Sequence, residues 1–423
     1  MSVKRWFLVA PLFLLFFAPK AFAANYTYYR AITVTSTTSI ASGTNANFPM
    51  LFSGTYPWLE ASSTGGGAGR IQNLTTAPNG SQEPADLIFT TSTPSASGSA
   101  WNCGASLNFE SESYTSSTGA INDWVNVPSL AANQVIYACY GSSGTTADQS
   151  HPSSTWDVNY QGVWHFPNGT TLSGNDSTAN GNNGTVNGAT ATTGAVDGAS
   201  AFNGSSNITT PYLQNAVTAY TMEAWIKDSD TSNIQPIIQD RGSGAGLSLS
   251  LFLVGNGACG GSCGGSTGDL MVGVDSNAIF VGVYGSTALT DGTWHDVVAT
   301  WAAPSGTTVA PSQFALYVDG TKASVTSDSL AGSPASPFTG NGGTVLGYHQ
   351  AWSEYFTGSM DEVRISTIVR SPSWILTEYN NQKSPSTFYA VGSEQTAGSS
   401  ITPPPLEYWF NGTMQWIGKF IFQ

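Results

Sequence analysis

Carboxylates set into apolar strand patterns are the groups of this 423-residue chain with the most chemistry to offer. In Met360-Asp361-Glu362-Val363-Arg364-Ile365, period-two alternation places Asp361 on the face of Val363 and Ile365, with Glu362 and Arg364 on the opposite face. A carboxylate on an apolar face must find hydrogen-bond donors or a cation, because burying it bare is costly. Hard oxygen ligands in an extracellular setting favour Ca²⁺. Asp176 opens the polar loop Asp176-Ser177-Thr178-Ala179-Asn180-Gly181-Asn182-Asn183-Gly184-Thr185 and is the expected second ligand, backbone carbonyls completing the shell. Without a metal, Asp361 caps backbone N–H groups and Asp176 makes a turn.

Catalysis finds less support. Glycoside hydrolysis needs two carboxylates flanking the scissile bond. Glu223 stands alone in Met222-Glu223-Ala224-Trp225, with Asp228 and Asp230 beyond the strand end, and reads as a strand carboxylate paired with a neighbour. The four histidines, His151, His165, His295 and His349, are scattered, and none adjoins a recognisable Ser or Cys nucleophile motif. No catalytic residue is assigned. Sugar binding asks instead for exposed aromatics to stack on and polar groups to meet hydroxyls. Tyr284, Trp301, Tyr348, Trp352 and Tyr355 are the candidates. Gly347-Tyr348-His349-Gln350-Ala351-Trp352 reads as a strand end running into a loop, and loops carry function. Tyr348, Trp352 and Tyr355 are therefore the expected ligand-binding set.

Four cysteines, Cys103, Cys139, Cys259 and Cys263, permit two disulfides in three connectivities. Pairing within modules gives Cys103–Cys139 and Cys259–Cys263. The second pair sits in Cys-Gly-Gly-Ser-Cys, a glycine-rich loop able to bring its sulfurs together. Two sulfurs without a nearby histidine do not make a zinc site.

Disulfides require export, and the N-terminus supplies it. Lys4 and Arg5 precede an apolar run from Trp6 to Ala18, and Ala21-Phe22-Ala23 is an Ala-x-Ala cleavage site. Residues 1–23 read as a secretory signal peptide, too short for a spanning helix, and no later stretch is apolar enough to span. Its removal leaves 9 basic against 26 acidic residues, a net charge of −17. That balance excludes nucleic acid, which needs a basic footprint. With 12% aromatic and 40% hydrophobic residues the chain has the material for large cores.

The elements that must hold these residues are short strands. Segments of period-two alternation recur between Gly/Ser/Asn/Asp clusters, and helical periodicity is nearly absent. In the first module, at 25–151, the expected strands are Tyr28–Thr35, Phe48–Phe52, Asp86–Thr90, Asn108–Tyr114, Asn122–Val127 and Gln134–Tyr140. A second module spans 155–395. In it Phe314, Leu316 and Val318 share one strand face, and Asp319-Gly320 supplies a type I′ hairpin turn. Glu223 and Trp225 face one way, Met222, Ala224 and Ile226 the other. A short helix is expected at Ser373–Asn381. Residues 396–423 read as a Pro-rich linker at Ile401–Pro405 and an aromatic tail with an Asn411-Gly412 hairpin turn. That tail is expected to dock on the sandwich, a second copy of the chain, or an envelope partner.

The order of phrases carries two resemblances. Tyr29-Arg30-Ala31-Ile32-Thr33-Val34, Asn47-Phe48-Pro49-Met50-Leu51, Asp86-Leu87-Ile88-Phe89-Thr90, Phe109-Glu110-Ser111-Glu112-Ser113-Tyr114, Trp124-Val125-Asn126-Val127-Pro128 and Ile136-Tyr137-Ala138-Cys139-Tyr140-Gly141 resemble the bacterial domain of unknown function number 2341. That resemblance implies a β-sandwich of secreted, multi-domain proteins. Such domains also accompany envelope proton-channel components, whose spanning helices this chain lacks.

In the second module the phrases are Gly162-Val163-Trp164-His165-Phe166, Ala201-Phe202-Asn203-Gly204, Tyr220-Thr221-Met222-Glu223-Ala224-Trp225-Ile226, Thr293-Trp294-His295-Asp296-Val297-Val298, Leu316-Tyr317-Val318-Asp319-Gly320 and Phe356-Thr357-Gly358-Ser359-Met360-Asp361-Glu362-Val363-Arg364-Ile365. In this order they resemble the laminin-G-like, concanavalin A-like family. The resemblance implies two antiparallel sheets in a jelly roll. Glucanases of that fold carry a Glu-x-Asp-x-Glu strand, which is missing here, and related sandwiches hold a structural Ca²⁺ with an Asp in the strand that Asp361 occupies.

The expectation is thus an all-β protein of two β-sandwich modules, the second a concanavalin A-like jelly roll. It is secreted or displayed at the cell surface, with the periplasm as the other compartment. It binds a glycan or an extracellular protein through its second module. The rival readings are a structural module of an envelope complex and a polysaccharide-cleaving enzyme.

Overall fold

In a computed structural model, the described residues are 25–35, 40, 45–62, 69–167, 169–211, 213, 217–241, 248–256, 264–276, 279–329, 342–350 and 352–398. The leader, Cys259 and Cys263, and the aromatic tail lie outside them. The architecture is all-β, and no helix among the described residues is long and apolar enough to cross a membrane.

The first module packs two sheets around Phe48, Phe52, Leu87, Phe89, Val125 and Ile136. In one sheet Ala120–Leu130 lies between Asn45–Thr55 and Phe109–Thr115. In the other, Val135–Tyr140 runs between Tyr28–Val34 and Leu87–Thr90. All six strands expected from alternation are present. Cys103 and Cys139 form a disulfide beneath Tyr26 and Ile88.

The second module is a larger sandwich. One sheet runs Thr190–Thr193, Gly198–Asn203, Thr357–Ser366, Ala219–Asp228, Trp294–Ala302, Phe314–Val318 and Thr321–Lys322, and Tyr160–Trp164 also pairs with Thr357–Ser366. The other runs Thr185–Asn187, Asn207–Thr210, Thr344–Leu346, Gln235–Arg241, Ser248–Leu253, Asp269–Ser276, Ile279–Ala288 and Val325–Ser329. Their facing sides supply one core, including Met222, Ala224, Ile226, Leu251, Val272 and Val363. The Asp319-Gly320 turn has φ of 49° and 70°, the positive values a type I′ turn requires.

Two features depart from the sequence reading. A β-bulge interrupts the late strand, where Glu223 pairs with Arg364 but Trp225 pairs with Asp361, and Glu362 takes a φ of 51°. Met360, Val363 and Ile365 all enter the core, so the extra residue turns Asp361 as well as Glu362 away from it. Strict alternation had put Asp361 with Val363 and Ile365. The second departure concerns the end of the 155–395 span. Tyr389–Val391 and Gln395–Thr396 pair with Tyr28–Val34, extending the first module's sheet. Phe388 and Tyr389 are buried in the first module's core, and that burial draws the chain back across.

The modules therefore share a boundary rather than a linker. Leu51 and Trp124 of the first pack against Trp156, Tyr160 and Val163 of the second. The helix Pro372–Lys383 lies between them, one turn longer than the expected Ser373–Asn381. Ser371 caps it by accepting from the Trp374 N–H at 3.1 Å.

Candidate functional site

The second sheet has an apolar outer face as well as an apolar inner one. Phe252, Met271, Phe280, Val254 and Ile234 form a buried cluster separate from the main core, with Tyr284 and Trp352 packed on it. Alternation explains this: along Ser248–Leu253 and Asp269–Ser276, Leu249, Leu251, Val272 and Val274 point inward, so Ser250, Phe252, Met271 and Asp275 point outward. Gly273 lies on the same face, where any Cβ would come within 2.5 Å of the Phe280 ring, so only glycine lets that ring lie across the strand.

A two-stranded hairpin, Tyr348–His349 with Glu354–Tyr355, stands at this face. Tyr348 and Tyr355 are cross-strand partners, half-buried, with ring centroids 4.3 Å apart. Trp352 stacks on His349 at 3.7 Å with an interplanar angle of 9°. His349 Nε2 lies 3.1 Å from Asp275 Oδ2, both residues fully buried. Gln239 accepts from the Gln350 N–H at 2.9 Å. Beneath the hairpin, Gln239 Nε2, Ser250 Oγ and Asp275 Oδ1 are buried with no hydrogen-bond partner. Such groups are rare in a folded interior and cost stability unless something meets them. Of the expected trio, Tyr348 and Tyr355 are thus brought into contact, while Trp352, on the same hairpin, packs on His349 and Phe252. Gln239, Ser250 and Asp275 were missed. Their signal was a polar residue at outward positions of a sheet face whose neighbouring strands put Phe252, Met271 and Phe280 there.

A second cluster sits where the modules meet. Glu110 and Glu112 come from Phe109–Thr115 of the first module, and His165, Glu362 and Arg364 from the second. His165 Nδ1 lies 2.9 Å from Glu362 Oε1 and 3.9 Å from Glu112 Oε2, and its Nε2 lies 3.5 Å from Glu110 Oε2. Trp124 donates to Glu112 Oε2 at 2.9 Å, and Trp156 to Glu110 Oε2 at 2.7 Å. Arg364 donates to Glu362 Oε2 at 2.7 Å, pairs with Glu378, and lies over the rings of Trp124 and Trp156. All five polar residues are buried. Burial, then the neighbouring Glu362, hold the Glu112 carboxyl well above the usual carboxylate range. Burial opposes a charge on His165, but Glu362, Glu110 and Glu112 outweigh it and raise the imidazole well above its ordinary value. Burial opposes ionisation of Glu362 too, yet His165 and Arg364 hold it low.

The remaining expected residues lie elsewhere. Asp176 Oδ1 accepts from the backbone N–H of Val163 and Thr178, at 3.0 and 2.9 Å, and Oδ2 from Asn182 N–H and Thr178 Oγ1, at 2.7 and 2.8 Å. Asp361 Oδ2 accepts from the N–H groups of Ala195 and Val196 at 2.8 and 3.0 Å. Burial, with Glu362 adjacent, raises the Asp361 carboxyl well above its usual range. N–H dipoles aimed at a carboxylate oxygen present their positive ends on the side from which a cation would approach it. Through these bonds both residues organise backbone, and Asp361 Oδ1 is buried with no hydrogen-bond partner. Glu223 is buried under the helix Pro372–Lys383, 3.7 Å from Arg364 Nη1, where no polysaccharide reaches. Trp301 is a core residue and Tyr284 borders the outer cluster. His295 is held by Asp319 at 3.0 Å and His151 is exposed.

Residues 202–376 match the model of the concanavalin A-like lectin/glucanases superfamily, so the second module's main span carries that family's pattern. No curated protein matches the chain. Among solved structures, domain 4 of AbnA, a GH43 extracellular arabinanase from Geobacillus stearothermophilus in complex with arabinotriose, is similar at 20% identity over 52% of this chain and 98% of that one, with a TM-score of 0.39. The binding domain of Paraclostridial Mosquitocidal Protein 1 is 12% identical over 52% of each chain, TM-score 0.33. The botulinum neurotoxin serotype G binding domain is 11% identical over 52% of this chain and 50% of that one, TM-score 0.35. The chain spans about half the length of these two toxin domains.

Proposed function

We propose that the protein is an exported glycan-binding protein, and that the glycan is met at the outer face of the second sheet, at the hairpin carrying Tyr348 and Tyr355. One observation carries the reading. A half-buried aromatic pair, Tyr348 and Tyr355, stands on a hairpin that also carries exposed Gln350 and half-buried Glu354. Sugars present apolar ring faces and hydroxyls that donate and accept. An aromatic platform flanked by an amide and a carboxylate side chain suits both. The family pattern of residues 202–376 covers lectins as well as glucanases and agrees with a binder. Hydrolysis has less to work with: the buried carboxylate beneath the hairpin, Asp275, is paired with His349 rather than with the second carboxylate that glycoside cleavage uses. The Cys103–Cys139 disulfide supports an oxidising compartment.

A glycan array probed with the full chain, followed by titration calorimetry on the hits, tests this. Tyr348→Ala and Tyr355→Ala are each expected to weaken binding about tenfold, or about 1.4 kcal/mol. Glu354→Gln is expected to change which sugars bind. No hit, or hits indifferent to all three substitutions, removes the reading. Release of reducing sugar from a hit would show an enzyme instead.

A further inference from the structure

The geometry points to a buried divalent-metal site between the modules, which we propose is formed by Glu112, His165 and Glu362. Among the described residues these three are the group of metal-capable side chains whose ligand atoms all lie within 4.8 Å of one another. In a tetrahedral site with bonds of about 2.0–2.2 Å, ligand atoms sit about 3.3–3.5 Å apart. From His165 Nδ1 it is 2.9 Å to Glu362 Oε1 and 3.9 Å to Glu112 Oε2, the oxygen Trp124 holds, so ligation asks the Glu112 carboxyl to turn its unpartnered Oε1 towards the imidazole. Small side-chain adjustments close the difference.

The surroundings have the form of a second layer around a metal. Each carboxylate has one oxygen fixed from outside: Glu112 Oε2 by Trp124 and Glu362 Oε2 by Arg364. That leaves Glu112 Oε1, which is buried and has no partner, and Glu362 Oε1, which faces His165. The imidazole shows the same division. Its Nδ1 faces the two carboxylates, while Nε2 makes no hydrogen bond and lies 3.5 Å from Glu110 Oε2, which Trp156 holds and which a small shift would bring into contact. A metal-bound histidine characteristically has a carboxylate on its other nitrogen, which sets the tautomer and aligns the ring. One nitrogen and two oxygens suit Zn²⁺, Mn²⁺ or Co²⁺. The charge also suits a dication. Glu110, Glu112 and Glu362 converge on one imidazole and one guanidinium, and the guanidinium also serves Glu378. Since one ligand comes from the first module and two from the second, the ion enters as the modules close on each other.

The full chain, unfolded with chelator and refolded with its disulfide intact in the presence of Zn²⁺, Mn²⁺ or Co²⁺, provides the test. Metal analysis after desalting is expected to give about one ion per chain, and the loaded protein to melt several degrees above the stripped protein. The Co²⁺ form is expected to show visible bands of a low-symmetry nitrogen–oxygen site. Glu112→Gln keeps the shape and the Trp124 contact but removes the charge, and is expected to hold less than a tenth of the metal. If that variant fails to fold, the Co²⁺ spectrum of the unsubstituted chain decides. Wild type that takes up none of the three ions overturns the proposal. So does a folded Glu112→Gln protein with undiminished metal.

Discussion

At position 362 a single backbone choice decides where two neighbouring carboxylates go. The φ of 51° at Glu362 is a left-handed conformation that a non-glycine residue adopts only when its surroundings hold it there. Here His165 and Arg364 grip the carboxylate from both sides. The bulge also sends Asp361 to the backbone of Ala195 and Val196 instead of the core. The sequence made Glu362 and Arg364 legible as neighbours, since two residues apart on a strand share a face. It could not reveal the bulge, because nothing local in Met360–Ile365 distinguishes a bulged strand from a regular one; the pairing partner imposes it. This bears on the expected calcium. Asp361→Ala removes an acceptor from two N–H groups and should cost about 1–3 kcal/mol. Millimolar calcium added to chelator-stripped protein should leave the melting temperature unchanged. Scanning calorimetry checks both, and a calcium-dependent rise lost in Asp361→Ala would establish the metal role.

At the scale of elements, the helix Pro372–Lys383 shows how much periodic reading can supply. Its existence follows from the spacing of Trp374, Ile375 and Tyr379, and its start from Ser371. The burial pattern shows why the helix is there. Trp374 enters the first module's core, while Ile375 packs with Val298 and Tyr317 of the second. Asn381 does what a neighbouring strand would do: its side chain accepts from the Leu51 N–H at 2.6 Å and donates to the Leu51 carbonyl at 3.0 Å. A lone asparagine in a helix gives no hint of this, because its partner lies 330 positions away. The return of Tyr389–Val391 to the first sheet was hidden for the same reason: alternation identifies a strand but not which sheet receives it. Asn381→Ala should therefore destabilise the protein more than an ordinary helix substitution. It orphans two buried backbone groups at about 1–3 kcal/mol each. Urea unfolding should show a lower midpoint with an unchanged slope. A change below about 0.5 kcal/mol would mean that water replaces the side chain at Leu51.

Across the whole molecule, two β-sandwiches legible in sequence as separate modules behave as one folding unit. Three connections require it. The first sheet takes its edge from residues 389–396, beyond the second sandwich. Leu51 and Trp124 are buried only because Trp156, Tyr160 and Val163 cover them. Glu110 and Glu112 of the first module lie buried against His165 of the second. Separating the modules would strip these carboxylates of their partners while exposing a large aromatic surface. A buried ionic group that loses its partner is among the costliest defects a protein carries, about 3–5 kcal/mol for a pair. Against typical totals of about 5–15 kcal/mol, such a loss is a large share of a domain's stability. The full chain should then melt in a single transition, with calorimetric and van't Hoff enthalpies equal. Residues 25–151 expressed alone should lack the near-ultraviolet dichroism of packed tryptophans. Two resolved transitions, or a first module that folds natively by itself, would show that the interface merely holds together domains that are complete without it. Co-expression offers the sharper comparison, because adding residues 385–398 to the first module in trans supplies its missing strands but not its partners for Glu110 and Glu112. If the interface carries the cooperativity, that addition restores the sheet edge and still leaves the module short of native stability.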